Sequence, residues 1–402
     1  MIGLFGGTFD PFHRAHRALA ESAIRELALD QVIVMPVGRA PHKDRRTSFA
    51  AYRYEMARLG TMGLQKVTVS DDEIRSPGID YTYDTVTRLK RKLHPEKLFV
   101  LAGSDVLESI DSWYRVADLL GEVTLAVAVR AAGDRALLES KALQTRQRYG
   151  SEVVFFEMPR LDISATSLRA SMLAGDQVQG MCPTAVEAFI RQYRLYDFET
   201  DFSALSDDAW QDLLNLEEIS WGYLSGARRL HSVSVAQYAA RLARLNGLDV
   251  WSAAAGGLLH DMAKDLPVKI QRQLARLYLA QAGCDTAVDG FCEDVNLVHG
   301  LAAAHLAKDK ADLSQDDLLE AIVYHSTARP GMTALEQILF LADKIAYDRS
   351  FDRLDDIRQT AEEGHLAVAM KRCLEEVFMA LREDGITPHP LSVAAYEEYA
   401  HL

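Results

Sequence analysis

The hydrophobic pattern of this chain changes period once, and that change limits what it can fold into. Up to about residue 196, short apolar runs alternate with helical stretches. The runs at Ile2–Phe5, Gln31–Met35, Lys66–Ser70, Lys97–Ala102, Thr124–Val129 and Glu152–Phe156 predict buried strands. Between them the spacing is helical; Leu19, Ala20, Ala23, Ile24, Leu27 and Ala28 fall on one face. Strands separated by helices imply a parallel sheet with right-handed crossovers. From about Trp210 the apolar spacing is helical throughout, as at Val233–Leu245, Ala253–Met262, Leu318–Tyr324, Leu335–Ile345 and Leu366–Leu381, and no strand is expected. The reading is an α/β domain over residues 1–196 and an all-α domain over 209–402. The acidic, poorly patterned Asp197–Asp208 is expected as the linker.

Composition narrows the function classes. The chain has 402 residues, enough for two or three domains, and its 49% hydrophobic and 25% charged residues support ordinary globular cores. A formal net charge of −14 argues against a nucleic-acid partner, which needs a basic footprint. Small phosphorylated substrates stay open, because a few local cations hold them. The four cysteines, Cys182, Cys284, Cys292 and Cys373, form no C-x-x-C pair and suit reduced thiols. No apolar run is long enough to span a bilayer, and the chain enters Ile2–Phe5 without a basic leader. A cytoplasmic protein without a membrane or nucleic-acid partner is expected; the oligomeric state is open.

The first chemical signal is Gly6-Gly7-Thr8-Phe9-Asp10-Pro11-Phe12-His13-Arg14-Ala15-His16, which follows a strand and opens a helix. Two glycines allow backbone to approach a phosphate, and the helix start supplies N–H donors. His13 and His16, three apart, project from one turn. The plain reading of such a turn is a tight connection. A metal pair is a further reading, but no H-E-x-x-H arrangement or third ligand accompanies the histidines, so direct phosphate contact fits better. The second signal is Ile163-Ser164-Ala165-Thr166-Ser167-Leu168-Arg169. Ser164 and Thr166 suit phosphate donors at a helix start, with Arg169 as a cation, although S-x-T alone reads as an N-cap.

Together these segments resemble the nucleotidyltransferase superfamily with the paired-histidine signature. The stretch from Met35 through Pro36, Pro41, His42 and Lys43 resembles the P-H-K loop of bacterial nicotinate-nucleotide adenylyltransferases. Glu73-Ile74-Arg75, Tyr81-Thr82-Tyr83-Asp84-Thr85, Gly103-Ser104-Asp105 and Trp113-Tyr114-Arg115 resemble further segments of that family. The chain departs from it at Ala15, where the family has Gly, and at Arg130-Ala131-Ala132, where R-P-G is common. The resemblance covers about residues 1–196 and implies a Rossmann-like parallel-sheet domain. It further implies adenylyl transfer from ATP, accompanied by Mg²⁺, to nicotinate mononucleotide, giving deamido-NAD and pyrophosphate. On that resemblance Gly6, Gly7, Thr8 and Phe9 form the nucleotide loop. His13 and His16 contact ATP phosphates, and Lys43 and Arg169 neutralise charge. Ser164 and Thr166 hold the pyrophosphate side, and Asp105 binds nucleotide. Trp113 stacks on the pyridine ring and Thr82 lies near the nicotinate end. Without the family, Trp113 reads equally as a core aromatic.

The second half carries His231, His260-Asp261, His299, His325 and Asp343, each in or beside a helical apolar pattern. A single histidine there is usually a satisfied core residue. Asp343, which ends Ile338-Leu339-Phe340-Leu341-Ala342, is harder to dismiss, because a lone buried carboxylate is costly and a bound cation offsets it. Imidazoles with carboxylates suit Fe, Mn or Zn. Six such ligands suffice for one or two metals, with Asp261 bridging, to activate water and clamp a phosphate. The order H…HD…H…H…D resembles the HD superfamily of phosphohydrolases. Leu259–Asp265, Val298-His299-Gly300, Tyr324–Met332 and Phe340–Ile345 resemble its bacterial symmetrical diadenosine tetraphosphatases. The implied reaction cleaves diadenosine tetraphosphate to two ADP, with Asp261 in the catalytic centre. Lys264 and Arg329 are the candidate polyphosphate contacts, against a reading as solvated surface. Ser326 and Ala328 depart from that family's usual Y-H-T-T-G-R. The rival readings are another adenylyltransferase, such as the phosphopantetheine type, or a cytidylyltransferase for the first half. For the second they are an HD domain acting on other nucleotides, or a regulatory binding module. A structural scaffold is the outside alternative for the whole chain.

Overall fold

The computed structural model describes residues 1–39, 46–129, 135–176, 178–282 and 290–401, without the side chains of residues 135–137, 198–199 and 282. Lys43, Arg130–Ala132 and Cys284 therefore lie outside the described residues. Two compact units divide the chain, Met1–Arg191 and Gln192–Leu402.

The first unit runs β1 (Ile2–Gly7), α1 (Arg14–Glu26), β2 (Gln31–Pro36), α2 (Ala50–Gly60), β3 (Val67–Val69), α3 (Thr82–Leu93), β4 (Leu98–Gly103), α4 (Val106–Ser109), α5 (Val116–Glu122), β5 (Thr124–Val129), α6 (Arg135–Tyr149), β6 (Val153–Glu157), α7 (Ala165–Leu173) and α8 (Thr184–Gln192). Each expected strand forms. They make one six-stranded sheet in the order β3-β2-β1-β4-β5-β6, and every pairing is parallel. The central strands are apolar along their whole length; all six residues of β5 are buried, as a sheet covered on both faces requires. The chain reverses its winding between β1 and β4, which pair through Ile2↔Leu98 and Leu4↔Val100. At such a switch point a crevice opens beyond the carboxyl ends of the strands.

The second unit contains α9 (Phe198–Asp201), α10 (Asp207–Trp221), α11 (Gly226–Leu245), α12 (Val250–Leu259), α13 (Val268–Ala282), α14 (Val298–Lys310), α15 (Asp316–Tyr324), α16 (Ala334–Ile345), α17 (Leu354–Glu362), α18 (Leu366–Glu383) and α19 (Pro390–Ala400). No strand occurs among its described residues. The centre is small-residue packing: a Cβ on Gly257 of α12 would come within 2.4 Å of the Ala236 Cα on α11. That close crossing sets the backbone positions of the residues just beyond α12.

Two residues within the expected linker are buried. Asp201 is buried and pairs with Arg244 at 2.9 Å, while Phe202 is buried edge-on to Trp210, with ring centroids 5.0 Å apart. The Ser206 Oγ caps α10 by accepting the Ala209 N–H at 3.1 Å. Asp201 and Phe202 thus anchor this largely exposed stretch to the second unit, whose border falls after Arg191. Among the described residues no helix is long and apolar enough to cross a membrane. Cys182, Cys292 and Cys373 are buried.

Candidate active sites

A cavity of about 830 Å³ opens at the carboxyl ends of β1 and β4. It brings together Gly6, Gly7, Thr8 and His16 with Thr82, Asp105 and Trp113. Both glycines have work there. Nothing lies within 4 Å of the Cβ position on Gly6, so its backbone faces open space. A Cβ on Gly7 would meet the Phe9 ring at 2.9 Å. Phe9 itself is buried in the left-handed region (φ 52°) and packs on Phe5, Phe12 and His16, so it supports the loop from beneath.

The His16 Nδ1 accepts the backbone N–H of His13 at 3.2 Å. That bond places the proton of the neutral ring on Nε2 and makes Nε2 the donor end. His13 is buried, does not line the cavity and stacks on His16 with centroids 3.6 Å apart. Ser164, Thr166 and Arg169 also stand outside the lining. Ser164 caps α7 by accepting the Ser167 N–H at 3.1 Å, which is its plain reading. Arg169 is buried; its Nη1 donates to the Asp10 carbonyl and its Nη2 to the Thr166 hydroxyl at 3.2 Å. In this structure it secures the loop that carries the histidines.

Sequence reasoning missed Arg53. Its fully buried guanidinium donates to the carbonyls of Val37 (2.6 Å), Ser48 (2.9 Å), Gly38 (3.2 Å) and Thr8 (3.3 Å). It therefore joins the loops after β1 and β2. An arginine on a helix carries no local mark of such a task. Glu73 also lines the cavity. Burial pushes its carboxyl up to about 7, although the Thr85 hydroxyl donates to it at 2.7 Å.

In the second unit the six expected ligands converge from α11, the ends of α12 and α15, α14 and α16. Two groups of three lie close enough to hold an ion: His231, His260 and Asp261, and Asp261, His299 and His325. Asp261 belongs to both. Asp343 joins the first, 2.9 Å from His231 Nε2 and 3.7 Å from His260 Nε2. The tautomers suit metal ligation. His260 Nδ1–H donates to the Gly257 carbonyl at 2.8 Å, and His325 Nδ1–H to the Ile322 carbonyl at 2.7 Å. Both Nε2 lone pairs then face the centre, and the buried His260 Nε2 has no hydrogen-bond partner. His231 Nδ1 meets Asp348 at 2.8 Å, the outer carboxylate that orients a ligating imidazole.

The electrostatics agree. Burial pulls His260 down to about 4, keeping it neutral. Burial also opposes ionisation of Asp261, but His260, His325 and His299 hold it well below the usual carboxylate range. Asp343 is held low against burial by Lys344 and His231. Burial lowers His231, yet its bonds to Asp343 and Asp348 outweigh that and raise it to about 9, so a metal there displaces a proton.

Lys264 stands at the edge of this cluster, its Nζ 3.1 Å from His299. Arg329 is employed elsewhere. It donates to Glu336 and to Glu320, each at 2.6 Å, and lies over the Tyr324 ring. Glu336 is fully buried in the capping box of α16, so Arg329 neutralises a structural carboxylate. Arg228 and Arg349 were missed, although they touch Asp261 and Asp343 at 3.0 Å. Arg228 sits one turn before His231, which is the signal available in the sequence.

A cytidylyltransferase-like family model matches residues 4–171. A protein of Clostridium tetani named probable nicotinate-nucleotide adenylyltransferase is 31% identical over 195 residues, which are 48% of this chain and 97% of that protein. The chain belongs to the nicotinate-nucleotide adenylyltransferase family. A member from Moorella thermoacetica, of the same name, is 37% identical and covers 48% of this chain and 91% of its own length. Family membership thus extends over the first unit, and beyond it an HD domain model matches residues 228–348. The chain is a fusion of the two. A solved structure described as an HD superfamily hydrolase involved in NAD metabolism, from Clostridium acetobutylicum, shares 29% identity over 46% of this chain and 96% of its own, at a TM-score of 0.42.

Proposed function

We propose that this chain is a bifunctional enzyme that makes one dinucleotide and splits another. The first unit transfers the adenylyl group of ATP to nicotinate mononucleotide. A phosphate oxygen of the mononucleotide bonds to the α-phosphorus, the bond from that phosphorus to the bridging oxygen breaks, and pyrophosphate leaves. No covalent protein intermediate is needed, so catalysis is positioning and charge neutralisation. What supports this most is the cavity at the β1–β4 switch point, where His16 meets the glycine loop opposite Thr82, Asp105 and Trp113. In this reading the Nε2–H of His16 donates to the transferring phosphate and Asp105 binds nucleotide. Trp113 stacks on the pyridine ring, with Thr82 at the nicotinate end. His13, Ser164, Thr166 and Arg169 order the loops around the phosphates, Lys43 adds positive charge, and Mg²⁺ accompanies ATP.

The second unit is a metal-dependent phosphohydrolase, and its substrate in this reading is diadenosine tetraphosphate, cut to two ADP. The supporting observation is the pair of ligand triads that share Asp261. His231, His260, His299, His325, Asp261 and Asp343 would hold one or two ions of Fe, Mn or Zn. Such ions lower the pKa of a bound water and neutralise charge at phosphorus. Lys264 adds a cation beside them. Both substrates are small soluble nucleotides, in keeping with a cytoplasmic enzyme. The test is direct. The purified chain is given ATP with nicotinate mononucleotide, and separately diadenosine tetraphosphate with Mn²⁺ or Fe²⁺. Pyrophosphate in the first reaction and chelator-sensitive ADP in the second are expected; pyrophosphate with phosphopantetheine alone would overturn the first assignment. Chelator-insensitive ADP would overturn the second.

A further inference from the structure

Among the cations around the HD ligands, two arginines are held in an unusual way. Arg228, in the first turn of α11, donates through Nε to Asp265 at 2.6 Å and through Nη1 to Asp261 Oδ2 at 3.0 Å. Arg349, just beyond α16, donates through Nε to the backbone carbonyl of Asp343 at 2.9 Å. Its Nη2 reaches Asp343 Oδ1 at 3.0 Å and lies 3.2 Å from His231 Nε2. Each guanidinium therefore has one tether on a group outside the ligand set and one arm on an atom inside it. The two arms fall on the two central carboxylates. Both side chains are reachable from solvent, at 34% and 40% exposure.

A divalent ion on these ligands draws on the same oxygen lone pairs that the Nη groups use, and it repels the guanidinium charge. The Nε tethers keep each arginine at the site while its Nη donors turn to an incoming anion. A guanidinium presents a planar fork that matches phosphate, which an ammonium does not. Lys264 lies against His299, and Arg329 is committed to Glu336 and Glu320.

We propose that Arg228 and Arg349 are a pair of phosphate-binding arms of the HD site, tethered at Nε and released at Nη by divalent metal, which grip the anionic chain of a nucleoside di- or polyphosphate. This rests on the metal-dependent reading of the site, and the experiment separates the two. The full chain, loaded with Mn²⁺, is titrated with ADP by calorimetry, and Mn²⁺ affinity is measured alongside. ADP binding that survives in Asp261→Ala is assigned to the other unit and subtracted. In Arg228→Gln and Arg349→Gln we expect Mn²⁺ affinity equal to or tighter than wild type, because a competing cation is gone. ADP should weaken by roughly 10- to 100-fold, the usual range for a lost charge-assisted hydrogen bond. Arg→Lys variants at both positions should fall between, keeping charge without the fork. Wild-type ADP affinity in both glutamine variants, or loss of ADP and Mn²⁺ binding together, overturns the arms and leaves the metal site standing. A wild-type chain that binds no Mn²⁺ overturns the metal reading and the arms with it.

Discussion

Single residues in this chain carry charge in places where water cannot help them. Glu73 is the clearest case for a pH experiment. Burial raises its carboxyl from the ordinary 4.5 to about 7, so the folded state holds a proton that the unfolded chain releases earlier. Its contribution to stability is fully present below about 4.5 and is lost as pH rises through about 7, a change on the order of 3 kcal/mol. Denaturant unfolding between pH 4.5 and 7.5 should show that decline in wild type and a flatter profile in Glu73→Gln. An equally steep decline in the variant would remove Glu73 as its source. Arg53 gives a second test. Replacing it with methionine fills the space but leaves carbonyls at Thr8, Val37, Gly38 and Ser48 without this donor. A loss of about 3 kcal/mol is expected, the usual cost of breaking a buried charged network, and adenylyl transfer should fall with it. Unfolding midpoints and pyrophosphate release check both.

At the scale of elements, ligand positions depend on how closely helices approach. Gly257 leaves room for α11 against α12, and its carbonyl accepts the Nδ1–H of His260. Gly257→Ala should cost roughly 1–3 kcal/mol by overpacking and weaken Mn²⁺ binding, read by thermal unfolding and metal titration. Unchanged metal affinity would show that this crossing does not place His260. The elements themselves were largely legible in the sequence, because each central strand is an apolar run closed by Gly, Pro or a charged residue. The Lys66–Ser70 strand forms as Val67–Val69 at the sheet edge, and the Lys66 carbonyl and Ser70 N–H still bond to Val32 and Val34 of β2 at 2.8 and 2.9 Å. The burial of Asp201 was not legible. The acidic pattern around it is solvated, and only partners some forty residues away, Arg241 and Arg244, make Asp201 a buried anchor. The same limit applies to the sites. The ligand residues and the glycine loop have local signatures, and Arg228 has only its place one turn before His231, whereas Arg53, Arg349 and Asp348 act through tertiary contacts alone. Arg329 shows the reverse: its local motif suggests phosphate, and its tertiary partners are Glu320 and Glu336.

For the whole molecule, we propose two chemically different phosphate sites in two compact units, one built on His16 beside a glycine loop and the other on histidines and aspartates arranged to hold metal. The net charge of −14 does not exclude either, because a few local cations are enough to hold a small phosphorylated ligand. A paired substitution tests this most directly. Pyrophosphate release from ATP with nicotinate mononucleotide, and ADP release from diadenosine tetraphosphate with Mn²⁺, are measured for wild type, His16→Ala and Asp261→Ala. We predict that His16→Ala loses roughly 100-fold or more of the first rate and keeps the second. Asp261→Ala should lose metal and the second rate while keeping the first. Full pyrophosphate release by His16→Ala, or full ADP release by Asp261→Ala, would contradict the account.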